Sequence, residues 1–241
     1  MKTSYDEVRR MAFRALDGAR SPAGIDEDSA HGTAWLEAID LPGMTLLADA
    51  IDTSEPDRRA RGLSSGQTGE RAWRIDADGL SCAFCAATVI DLLIATAETG
   101  PDACSTIELT DAKQPLFLIP MAARFCPDGG SIQITWRQDG KDQAFTVTLS
   151  GVWLNETSTG DSDGPDASST GSVTLTSRAV SGLDQMLGRR IDQGLASTLR
   201  QGLDVDDNAY ARIAAYAAKI LVPETATSRV SGAGAGLTDN D

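Results

Sequence analysis

The residues best placed to do chemistry crowd the carboxyl terminus. Ser228 and Arg229 precede a ladder of alternating glycines, Gly232, Gly234 and Gly236, and the chain then runs through Asp239, Asn240 and Asp241. Glycines permit positive φ and close backbone approach to a ligand. Successive amides in such a run can cup a carboxylate or phosphate, and an arginine beside them adds a bidentate clamp. Asp239 and Asp241 offer the hard oxygens that Mg²⁺ or Ca²⁺ takes. The same Gly/Ala/Ser composition also suits a free terminus, the common fate of chain ends. An anion site at Ser228, Arg229 and the three glycines, with a metal at Asp239 and Asp241, is therefore one expectation, and an unstructured tail is its rival.

The other chemistry-bearing residues are sparse. Cys82-Ala-Phe-Cys85 is a C-x-x-C at the expected start of a helix, where a thiolate gains from the helix dipole. A redox role calls for a preceding strand and a βαβ setting, which the pattern does not suggest, so buried core thiols are the plainer reading. Zinc would need Cys104 and Cys126 to converge on the pair without a second C-x-x-C. His31 is the one histidine, so any Ser-His-Asp, Cys-His or multi-histidine metal mechanism must pass through it. Its place one turn after Asp28 reads more simply as a local pair on a solvated helix. Asp161-Ser-Asp163 and Asp204-Val-Asp206-Asp207 lack the EF-hand register and its closing Glu, so capping and solvation explain them. No zinc-protease, nucleophile-elbow or P-loop motif is present. The glycine ladder is not a dinucleotide loop either, since it follows a helix and leaves no room for another.

Composition sets the bounds. The chain has 241 residues, 41% of them hydrophobic and 5% aromatic, enough for a real core. A net charge of −14 repels phosphate backbones and argues against nucleic-acid binding. The basic run Arg58-Arg59-Ala60-Arg61 is too short to reverse that field. The amino terminus reads as amphipathic rather than as a signal peptide. The apolar run over 82–97 is broken by Thr88 and Asp91 and is too short to span a bilayer. Together these point to the cytoplasm, reduced cysteines and no membrane.

The elements follow from spacing. Ser4 and Glu7 form a capping box for a first helix with Val8, Met11, Ala12 and Leu16 on one face. A second helix begins near Asp26 or Asp28 and stops at Pro42-Gly43. A third carries Met44, Leu47, Ala48 and Ile51. Glu55–Glu70 reads as a polar surface loop, and Trp73–Ile75 as a short strand. A central buried helix spans 82–97. Ile107–Thr110 and Leu116–Ile119 read as buried extended runs, and a helix runs from Pro120 to Phe125. Ile132, Ile134 and Trp136 alternate, Asp139-Gly140 turns, and Phe145, Val147 and Leu149 return. Asn155–Gly171 is a low-complexity loop, and Val173 and Leu175 add a third strand. The segment 180–203 is ambiguous because four glycines interrupt its leucine spacing. Asp206 or Asp207 caps a last helix that Pro223 stops. The expected fold is α+β: a helical cap over 1–54, then a 71–241 body with a central buried helix, an antiparallel β-meander with one wet face, and a carboxyl-terminal helix and tail. All of it is read as a single domain.

These residues resemble one family. Tyr5–Asp17, Ala34-Trp35-Leu36-Glu37, Leu41-Pro42-Gly43, Leu118-Ile119-Pro120 and the ending from Val222 through Gly232–Gly236 to Asp241 are similar to an uncharacterised, mostly proteobacterial domain of unknown function. The resemblance implies that the tail belongs to the fold or its site. It brings no activity, cofactor or catalytic residue. Two functions remain. The first is a cytoplasmic binding or accessory protein, such as a subunit of a metabolic enzyme, with a protein partner or a second copy of itself. The alternative is a small-molecule enzyme acting on an anionic metabolite through its glycine-rich tail.

Overall fold

The computed structural model describes residues 1–97, 104–138, 141–156, 170–179 and 188–220. Strand β1 (Lys2–Thr3) leads into α1 (Tyr5–Gly18), α2 (Ile25–Ala38), α3 (Gly43–Thr53) and the short α4 (Pro56–Ala60). The Ser4 hydroxyl accepts the Glu7 amide at 3.2 Å, the expected cap, and Asp6 and Glu7 sit where the dipole favours them. Val8, Ala12, Ala15 and Leu16 form the buried stripe of α1.

Helix α2 is buried on nearly every side. It is built of small residues, so neighbours approach its backbone closely. A Cβ on Gly32 would meet Phe117, Pro120 and Met121. Its buried polar groups find partners: the Thr33 hydroxyl donates to the Ser29 carbonyl at 2.8 Å, and the Ser29 hydroxyl donates to the Ala83 carbonyl. The helix expected at 82–97 is a 3₁₀ turn (Cys82–Phe84) followed by α5 (Ala86–Thr96). It buries Val89, Ile90 and Leu93 but leaves Thr88 and Asp91 in solvent, so the more fully enclosed helix is α2.

The segment read as a loop carries α4 and strand β2 (Ser64–Gly69), which pairs antiparallel with β3 (Ala72–Asp76). Strand β3 runs parallel to β4 (Cys104–Lys113), with α5 between them in the chain. That βαβ connection was not legible in the sequence, and Cys82 and Cys85 lie inside it. Leu116–Ile119 is helical, not extended: a 3₁₀ turn (Pro115–Phe117) runs into α6 (Leu118–Phe125). Strands β5 (Gly130–Gln138), β6 (Lys141–Thr148) and β7 (Gly151–Glu156) form the meander, its last strand unforeseen. Strand β8 (Thr170–Ala179) returns between β4 and β5, so the sheet is mixed rather than a simple meander.

With β9 (Arg189–Arg190) at the far edge, the order is β2-β3-β4-β8-β5-β6-β7-β9. Ile107, Leu109, Val173, Leu175, Ile134 and Phe145 face the core beneath α5 and α6, and Trp136 stacks on Phe145 at 5.1 Å. Thr106, Thr174, Thr176, Gln133 and Thr135 fall on the opposite, partly exposed face, the alternation that one-sided burial demands. The described residues end with α7 (Leu195–Gln201), β10 (Leu203–Asp204) on β1, and α8 (Asp207–Ala217), capped by Asp206 as expected, and a closing 3₁₀ turn (Ala218–Ile220). Helix α8 packs on α1 and α3, so the two ends of the described chain meet.

Candidate functional site

Where α1, α3, α4 and α8 converge, a cavity of about 430 Å³ opens. Its wall includes Gly18, Ala19 and Arg20 from the end of α1, Asp52 in the last turn of α3 with Ser54 and Glu55 after it, Arg59 of α4, and Tyr216 and Lys219. Gly18 is required there: a Cβ would run into the Tyr216 carbonyl, so only glycine lets α1 and α8 come this close.

Arg59 organises the cavity. It is 3% exposed and makes no ion pair with a carboxylate among the described residues. Its Nη1 donates to the Ile51 carbonyl at 3.3 Å and to the Ser54 carbonyl at 2.6 Å, and its Nη2 donates to the Ala19 carbonyl. These are the ends of α3 and α1, where unpaired carbonyls carry partial negative charge. The Phe84 ring lies 5.4 Å from the guanidinium. Burial depresses the pKa of Arg59 from its ordinary value. Its Nε is buried and without a hydrogen-bond partner, as is the Ser21 hydroxyl just beyond α1.

Asp52 is committed elsewhere. Arg212 donates to Asp52 at 2.5 Å and to Asp49 at 2.7 Å, and the Tyr216 hydroxyl donates to Asp52 at 2.6 Å. Burial works to raise the Asp52 pKa, but the bonds from Tyr216 and Arg212 outweigh it and leave it below its usual value. The Asp52 bond in turn raises the Tyr216 phenol. Lys219 lies 3.9 Å from the Tyr216 ring centroid.

Ser228, Arg229, Gly232, Gly234, Gly236, Asp239 and Asp241 lie outside the described residues. Among the described residues no group of three His, Cys, Asp or Glu side chains is placed to hold a metal ion. His31 is not a solvated helix residue: its Nδ1 is 3.2 Å from the Tyr5 hydroxyl, and both side chains are partly buried. Burial lowers the His31 pKa, and Arg124 and Arg9 lower it further. Asp28, to which His31 was expected to pair, takes Arg124 at 2.9 Å instead. Cys82, Cys85 and Cys126 are buried free thiols and Cys104 is exposed. The neighbouring Cys85 and burial push the Cys82 thiol well above its ordinary value, which works against a thiolate there in spite of its βαβ setting. A cavity beside Cys82 and Met121 holds only about 20 Å³, roughly a single water.

Arg59 escaped the sequence reading because it stands in a polar run that looked like surface. Pro56 was the available signal, since proline at a first helical turn announces a helix and therefore a buried side.

A family model described as a protein of unknown function (DUF3726) matches residues 3–75, the stretch from α1 through β3. No curated protein sequence matches the chain. Among solved structures, the fold is that of a group of dehydrogenases and reductases. A dehydrogenase from Sinorhizobium meliloti is 12% identical, with a TM-score of 0.62 over 90% of this chain and 99% of that one. Sulfolactate dehydrogenase from Methanocaldococcus jannaschii is 8% identical, with a TM-score of 0.61 over 90% and 96%. The delta1-piperideine-2-carboxylate reductase from Pseudomonas syringae is 11% identical, with a TM-score of 0.57 over 90% and 99%. At such identities the likeness is one of fold.

Proposed function

We propose that this chain is a cytoplasmic binding or accessory protein that uses a dehydrogenase-type fold to hold a small anionic metabolite without oxidising or reducing it. The observation that carries this reading is Arg59, a buried cation without a carboxylate ion pair among the described residues, on the wall of a cavity sized for a small molecule. The printed names of two neighbours, sulfolactate dehydrogenase and piperideine-carboxylate reductase, point to small anionic substrates and favour the same ligand chemistry here.

The single histidine stands away from the cavity, which supports a binding reading. Dehydrogenation of an alcohol requires a group that takes the hydroxyl proton. His31 is engaged with Tyr5 and lines neither of the two cavities described above, and no other histidine exists. An acidic partner-facing surface and a position as one subunit of a metabolic enzyme fit the charge of −14.

Two measurements on the full chain test the proposal together. Thermal unfolding should shift upward with small carboxylates at constant ionic strength. Spectrophotometric assays with NAD(H) and NADP(H) and a panel of 2-hydroxy and 2-oxo acids should show no turnover. Cofactor-dependent turnover of any of these acids would replace the binding reading with an enzymatic one.

A further inference from the structure

The geometry points to a small dicarboxylate as the ligand of the Arg59 cavity, held between Arg59 at its base and Arg20 and Lys219 at its rim. This rests on the preceding reading that the chain binds a small anion, and it adds the site, the residues and the charge of the ligand.

The rim cations set the class. Three cationic side chains, Arg20, Arg59 and Lys219, share the cavity wall with two carboxylates, Asp52 and Glu55. Arg212 is shared between Asp49 and Asp52, so the cluster as a whole is left with a positive excess. Lys219 lies over the Tyr216 ring and, like Arg20, makes no ion pair among the described residues, so the rim offers one cation to each carboxylate of a ligand. The carbonyls around Arg59 solvate the guanidinium but place no formal charge beside it. Neutral dipoles satisfy a buried cation less completely than a carboxylate does. A cavity of about 430 Å³ is larger than an inorganic phosphate needs and lies in the range of small-molecule sites.

Arg20 supplies an independent pointer. Its φ is +59°, the left-handed region that favours glycine at a helix end. An arginine held there gives up backbone stability and sets its charge on the cavity rim. Arg20 has no ion pair among the described residues. A strained cation beside an under-compensated buried one is the arrangement expected of a ligand clamp.

The test uses rim variants, because Arg59 also ties two helices together and its loss could unfold the protein. Calorimetric titration of the full chain with succinate, acetate and inorganic phosphate at neutral pH reads affinity directly. Succinate should bind one site per chain, about tenfold or more tighter than acetate or phosphate. Arg20→Gly should melt at or above the wild-type temperature while losing about tenfold in succinate affinity. Lys219→Gln should show a comparable loss with unchanged melting. If both variants bind succinate like wild type, the site assignment is wrong while the anion reading survives. If phosphate binds more tightly than succinate, the ligand class is wrong. If the wild type binds none of the three, the inference and the reading beneath it both fall.

Discussion

Glu37 holds its proton to a higher pH than most glutamates do. It sits in α2 with 7% exposure, and its Oε1 accepts the Met44 amide at 2.7 Å at the start of α3. Burial raises its pKa from 4.5 to about 7, against the pull of the Met44 amide and with help from Asp206 and Asp40. The folded pKa lies above the unfolded one, so the folded state binds more protons between 4.5 and about 7. Stability from this group is complete below the unfolded value and is lost as pH rises through the folded one. Glu37→Gln keeps an acceptor for Met44 and cannot ionise. It should therefore match wild type in mild acid and exceed it by up to roughly 3 kcal/mol in mild alkali. Denaturant melts at the two ends of that range check this, and a constant difference between the two proteins would remove Glu37 from the explanation.

At the scale of elements, the decisive contact is the approach of α8 to the end of α1. Gly18→Ala would push a methyl group into the Tyr216 carbonyl, and separating the helices should cost about 1–3 kcal/mol. The same shift should widen the cavity and weaken anion binding. Unchanged melting in the variant would mean that the two helices are not held at this distance. The amino-terminal helices were legible because Ser4, Pro42-Gly43 and the spacing of Val8, Ala12 and Leu16 are local signals. The β5–β6 register was legible because Ile132, Ile134 and Phe145 alternate. What local pattern could not reveal was pairing between distant segments. Strand β8 inserts between β4 and β5, and β3 lies parallel to β4, through contacts set by the whole sheet. The site hid for the same reason. Arg59 becomes a buried cation only when the ends of α1 and α3 meet around it, and the expected anion residues from Ser228 to Asp241 fall outside the described part of the chain.

The molecule as a whole sets a cationic recess inside a strongly acidic body. A net charge of −14 repels anions at long range, while Arg20, Arg59 and Lys219 attract them at short range. Among the described residues no helix is long and apolar enough to cross a membrane. The likeness in fold to the solved dehydrogenases extends over 90% of the chain. Crystals of the full chain grown with succinate test the central claim most directly. The expected result is density for one succinate between α1, α4 and α8, with a carboxylate oxygen near Arg20 or Lys219. Succinate ordered at some other surface, with the recess beside Arg59 filled by water alone, would contradict it.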